Sequence, residues 1–162
     1  MNQRTNGNTT DPRVYLDPET LFSLKVPKGW LMDTSGQQGS RLILLHPVAE
    51  YNFRTNINVV VSHNPALTKE EYIVLSRLQL KQMAGCRALE VDESTSLPPD
   101  GHVFEWTVQV PPVPVKGRLV ILFDANKVYV ATGTALLPQF ETHRREIEFA
   151  LQSFRVLQAG AS

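Results

Sequence analysis

The stretch Leu21-Phe22-Ser23-Leu24-Lys25-Val26-Pro27-Lys28-Gly29-Trp30 opens as a two-residue alternation and ends in a turn. Phe22, Leu24 and Val26 fall on one side of an extended chain, and Leu21, Ser23 and Lys25 on the other. That is the period of a half-buried strand. Pro27 removes a backbone donor and Gly29 tolerates a sharp reversal, so the strand stops there. Trp30 either seals the end of the core or stands at the rim of a surface where a partner binds.

Working outward, residues 41–46 are apolar on both faces, as in a strand with neighbours on each side. Residues 56–63 alternate, with Ile57, Val59 and Val61 opposed to Asn56, Asn58 and Ser62, and Val60 as the exception. Thr68-Lys69-Glu70-Glu71 is a capping box that starts a helix, and Gly85 stops it. Tyr72, Leu75, Leu78 and Met83 are among its apolar positions, while Glu70, Arg77 and Lys81 form one narrow wet stripe. The rest of this helix is expected to be covered.

A short strand is predicted over 87–91 and a turn over 97–101. The clearest amphipathic strand is 102–110, with Phe104, Trp106, Val108 and Val110 on one face. Residues 118–123 and 127–134 read as a hairpin around Asp124-Ala125-Asn126. The last element is a helix entering at Pro138, with Phe140, His143, Ile147, Ala150, Leu151 and Phe154 at helical spacing. Its outer face is charged, and Phe149 sits within it. The elements compose an α+β fold, an antiparallel sheet of about six to seven strands packed with two main α-helices. Residues 1–13 read as a disordered lead, 14–157 as one domain and 158–162 as a flexible tail.

Sixteen basic and sixteen acidic residues in a chain of 162 cancel, so no long-range field favours nucleic acid or an anionic membrane. No window approaches a membrane span and no signal peptide is evident, which gives the expectation of a cytoplasmic protein. Cys86 is the single cysteine, so no intrachain disulfide forms. It reads as a small residue at the start of a strand. Asn8-Thr9-Thr10 matches a short glycosylation pattern and carries no weight.

No residue set has the spacing of a catalytic centre. His46, His63, His102 and His143 include no pair at i, i+4, and His143 reads as a core histidine. Neither Gly36-Gln37-Gln38-Gly39-Ser40 nor Ala131-Thr132-Gly133-Thr134 has the lysine and spacing of a phosphate loop. The carboxylates at Glu70 and Glu71, and at Glu90, Asp92 and Glu93, read as solvated charges. The expectation is therefore no enzyme, no cofactor and no metal. A rival reading places a small-ligand or catalytic pocket between sheet and helix, near His46, His63 and the 33–40 loop.

Two features suit binding. Pro111-Pro112-Val113-Pro114 either offers a polyproline segment to an aromatic groove or stiffly connects two strands. The aromatic residues Trp30, Tyr51, Phe53 and Phe149 fall in loops or on a charged helix face, where they are candidate anchors for a partner.

The opening stretch from Phe22 to Trp30, the segment from Arg54 to Val61 followed by the Thr68 helix, and a closing helix that runs into Ser153-Phe154-Arg155-Val156 together resemble the PsbP-like superfamily. That group includes the DcrB-like bacterial domains and the Eag chaperones of type VI secretion. The resemblance spans residues 21–156 and implies an α/β/α sandwich in a protein that binds proteins without a shared catalytic centre. It implies a bacterial adaptor or secretion-associated chaperone, whose partner is an apolar helical segment of an effector, and it allows a homodimer. The other branch of the family implies an exported photosystem or envelope accessory protein. No family binding residue is carried over position by position.

Overall fold

The computed structural model describes residues 13–63, 66–83, 86–88, 98, 100–109 and 113–157. The lead, the glycosylation pattern, Gly85, residues 89–91, residues 97 and 99 of the 97–101 turn, Val110 to Pro112 and the tail lie outside the described residues. Two antiparallel sheets carry the chain. The larger has strand order β3-β4-β5-β9-β8-β7-β6, from β3 (Leu31–Asp33), β4 (Leu42–Leu45), β5 (Asn56–His63), β6 (Cys86–Ala88), β7 (His102–Val108), β8 (Val115–Phe123) and β9 (Lys127–Leu136). The smaller sheet has order β1-β2-β10, from β1 (Arg13–Leu16), β2 (Phe22–Val26) and β10 (Arg155–Val156). Helix α1 (Lys69–Gln82) and helix α2 (Leu137–Gln152) complete the fold.

Alternation along the central strands supplies two cores. On one face of the large sheet, Leu42, Leu44, Ile57, Val59, Val103, Val120 and Ala131 meet Phe140, Ile147 and Leu151 of α2. Phe22, Leu24 and Val26 of β2 belong to this same core and are fully buried, so the small sheet and α2 lie together on that face. Burying a side chain such as Phe22 contributes about 2–3 kcal/mol. On the opposite face Phe104, Trp106, Leu119, Ile121 and Val128 pack with Leu80, Tyr72 and Ile73 of α1. The result is the expected α/β/α sandwich, augmented by a second small sheet.

Local chemistry decides where the elements end. Gly29 takes φ +84°, and the Trp30 amide donates to the Pro27 carbonyl at 3.1 Å, closing the predicted turn. The Thr68 hydroxyl accepts from the Glu71 amide at 3.1 Å, and the Glu71 carboxylate accepts from the Thr68 amide at 2.9 Å. Pro138 sits in the first turn of α2, and the Leu137 amide is satisfied by the Pro114 carbonyl at 2.8 Å. The Asp124 amide donates to Lys127 at 3.0 Å across the β8–β9 hairpin.

The turn after β1 rests on a buried carboxylate. Asp17 accepts from the Tyr15 hydroxyl at 2.7 Å, the Thr20 amide at 2.8 Å and Arg41 at 3.2 Å. Burial pushes this carboxyl up, but the Thr20 hydroxyl and amide, Tyr15 and Arg41 outweigh it and hold it down at about 2. Burial, and then the same pairing with Asp17, pushes the Tyr15 hydroxyl up to about 12.

Candidate functional site

Helix α1 departs from the sequence expectation. Leu80 is its one buried residue, while Val74, Leu75, Leu78 and Met83 are 39–49 % exposed. The wet part of the helix is therefore broader than the predicted stripe, and it includes Val74, Leu75, Leu78 and Met83 among its charged and polar residues. The reason is geometric: a single sheet face covers only the side of a helix turned toward it, and α1 carries leucines on a second side. Where α1 meets the sheet, an open groove of about 220 Å³ runs between Tyr72, Leu80 and Met83 on the helix and Leu119, Ile121 and Val130 on the strands. Leu75 lies on the helix surface one turn from Gln79, which lines the same groove. The arrangement presents apolar surface with few polar groups to orient a small molecule.

The four candidate aromatic residues separate into different roles. Trp30 is 1 % exposed, and its indole N–H donates to Glu146 Oε2 of α2 at 3.1 Å. Its carbonyl also accepts from Arg13. This corrects its place among the partner-facing aromatics, because the ring seals the end of the sandwich. Tyr51 is 74 % exposed at the tip of a turn closed by Glu50 and Phe53, whose backbones exchange hydrogen bonds at 2.7 and 2.8 Å. Tyr51 and Asn52 both adopt left-handed φ, +50° and +63°, as a type I′ turn requires. Phe53 is half-buried beneath that tip. Phe149 is 37 % exposed on α2, beside a shallow groove with Val14, Leu24 and Arg155, and Lys25 Nζ lies 6.0 Å from its ring.

The histidines also sort differently from expectation. His46 and His63 do not meet. The His46 amide bonds Thr55 at the start of β5, and His63 ends that strand, roughly 25 Å away at a strand's rise per residue. The rival pocket, placed near His46, His63 and the 33–40 loop, therefore cannot be lined by both histidines. His46 instead stacks edge-on against His143, with centroids 4.7 Å apart, and against Trp30 at 5.5 Å. His143 is buried, as expected of a core histidine, between Glu50 (3.1 Å) and Glu146 (3.7 Å).

A second polar cluster fastens α2 to the large sheet. Glu105 of β7 binds Arg118 at 2.6 Å, Lys116 at 3.1 Å and Arg144 of α2 at 3.3 Å. Burial pushes the Glu105 carboxyl up, yet Arg118, Arg144 and Lys116 hold it at about 2. A carboxylate held ionised by three cations is a poor proton donor or acceptor near neutrality, so this cluster is a clasp.

Three solved structures share this overall fold at low sequence identity. LpqN from Mycobacterium tuberculosis, involved in cell envelope biogenesis, superposes with a TM-score of 0.67 at 12 % identity, covering 94 % of this chain and 88 % of that one. The cyanobacterial PsbP (CyanoP) from Synechocystis sp. PCC 6803 gives 0.61 at 14 % identity, over 96 % and 98 % of the two chains. The fold is PsbP-like. PA94 from Pseudomonas aeruginosa, a protein of unknown function described as a putative regulator, has the same PsbP-like outline, with a TM-score of 0.53 at 14 % identity over 93 % and 99 %. No family model matches the chain, and no curated protein matches its sequence. Among the described residues, no helix of this PsbP-like domain is long and apolar enough to cross a membrane.

Proposed function

We propose that this chain is a non-enzymatic protein-binding module, an adaptor or secretion-associated chaperone of a bacterium, that holds an apolar helical segment of a partner protein against α1. The observation that carries this reading is the exposure of Val74, Leu75, Leu78 and Met83 on α1, of which Met83 lines the groove against the sheet and Leu75 lies next to it. A helix laid along such a groove buries its own apolar face, which is how helix-in-groove recognition gains affinity. Exposed apolar surface of this kind marks interaction sites more often than chance. The ionised clasp around Glu105 and the mainly apolar lining of the groove favour binding over catalysis. The relatives in fold, one involved in envelope biogenesis and one a PsbP, are consistent with an accessory role and leave the partner open.

The test is site-specific photocrosslinking in the native cell from position 78, with position 16, exposed on β1 at the opposite face, as control. One defined polypeptide should crosslink from position 78, and Leu75→Ser should abolish the adduct without lowering Tm. A monomer recovered repeatedly without a stoichiometric partner, and indifferent to Leu75→Ser, would sink the reading.

A further inference from the structure

His46, His143 and Glu146 bring one donor atom each to within 4.8 Å of one another at the end of the sandwich opposite His63. The three come from two elements distant in sequence. His46 follows β4, and His143 and Glu146 stand one turn apart on α2. Each has an outer partner that fixes its orientation. His46 Nδ1 lies 3.2 Å from the Val48 carbonyl and 3.1 Å from the Val48 amide, which donates to it; a metal at Nε2 selects the other tautomer, in which Nδ1 donates to the carbonyl and Nε2 keeps a lone pair. His143 Nε2 lies 3.1 Å from Glu50 Oε1, so donation to that carboxylate frees Nδ1, the nitrogen facing Glu146. Glu146 Oε2 is held by the Trp30 indole N–H, which leaves Oε1 toward His143.

We infer that these residues form a binding site for a divalent transition-metal ion of the zinc class, with His46, His143 and Glu146 as ligands. Two imidazoles and a carboxylate are the donor set such ions prefer, and three protein ligands leave a fourth position open. The carbonyl of Val48, the carboxylate of Glu50 and the indole of Trp30 supply the outer hydrogen bonds that metal-binding histidines and carboxylates require. Charge points the same way. Among the described residues, neither Glu50 nor Glu146 is ion-paired to a lysine or arginine, so two carboxylates face two imidazoles without a fixed cation. Tetrahedral coordination at about 2.0–2.1 Å sets ligand atoms about 3.3 Å apart, so the cluster closes by up to about 1.5 Å through side-chain rotation. The type I′ turn carrying Tyr51 and Asn52 positions Glu50, which gives that strained turn a role.

The test is calorimetric titration of the untagged, chelator-treated full chain with Zn²⁺ alone, repeated with Co²⁺ to read the visible absorption of a tetrahedral site. One Zn²⁺ per chain should bind with a dissociation constant of about micromolar or tighter, and Tm should rise with added Zn²⁺. His46→Ala and the conservative Glu146→Gln should each weaken binding at least about tenfold and abolish the Tm rise. His63→Ala at the far end of β5 should bind as the wild type does. Failure of the wild-type chain to take up stoichiometric Zn²⁺ would overturn the assignment. So would uptake that either His46→Ala or Glu146→Gln leaves within about threefold of wild type.

Discussion

Gly133 of β9 lies directly beneath Ile147 of α2, so that a Cβ at position 133 would stand 2.5 Å from Ile147 Cγ2. The glycine is what allows the helix to settle onto the sheet at that height. Gly133→Ala should therefore lift α2 and cost about 1–3 kcal/mol, read as a lower urea midpoint. Trimming the opposing side chain in Gly133→Ala/Ile147→Val should recover part of the loss. Additive costs in the double variant would show that the two residues do not compete for the same space.

Acid should unfold this protein through two carboxylates. Asp17 and Glu105 are both held at about 2, below their unfolded values, so each stabilises the fold fully above about pH 4.5. That contribution, on the order of 2–3 kcal/mol each, is lost as pH falls through their folded values. Stability measured by urea unfolding should fall steeply between about pH 4.5 and pH 2. Asp17→Asn and Glu105→Gln should each lower stability at pH 7 and flatten that acid limb. A limb unchanged in both variants would assign it to other groups.

The turn at Tyr51 and Asn52 should tolerate, and favour, a glycine. Asn52 already sits at φ +63°, where glycine carries no Cβ penalty and is the preferred second residue of this turn. Asn52→Gly should raise stability by about 0.5 kcal/mol, visible as a small rise in Tm. A fall in Tm would mean that the Asn52 side chain contributes something the backbone geometry does not reveal.

Phe149 separates binding from stability. Its ring is partly exposed beside Lys25, so Phe149→Ala should cost no more than about 1 kcal/mol. If the partner also wraps round to this face, opposite α1, crosslinking yield from position 78 should drop while Tm stays nearly constant. Unchanged yield would confine the partner to α1.

Elements with a strong internal period could be read from sequence. β2, the Thr68 capping box, the β8–β9 hairpin and the Pro138 helix each announce themselves through residues within a few positions of one another. β1, β3 and β10 do not, since strands of four, three and two residues owe their state to pairing with β2 and β4 rather than to any pattern of their own. The apolar excess on α1 was visible as leucines on more than one side. Reading it as covered assumed more packing surface than one sheet face provides. The His46–His143 contact was out of reach, because the two residues lie nearly a hundred positions apart and only the docking of α2 against the loop after β4 joins them. Trp30 shows the limit at a single residue. Its place after a turn allowed either exposure or burial, and the hydrogen bond to Glu146 of α2 decides for burial.

β2 sits between the first described strand and the last, and Leu16 and Arg155 both stand opposite its Ser23. The small sheet therefore cannot close until Arg155 and Val156 have left the ribosome, and until then one edge of β2 stays open to solvent or to a chaperone. The same arrangement places Arg13 and Val156 only about 16 Å apart, by strand spacing and rise. A linker of about six residues spans that gap, so a circular permutant reopened at the Asp124–Asn126 hairpin would keep every strand pair while completing the β2 sheet midway through synthesis.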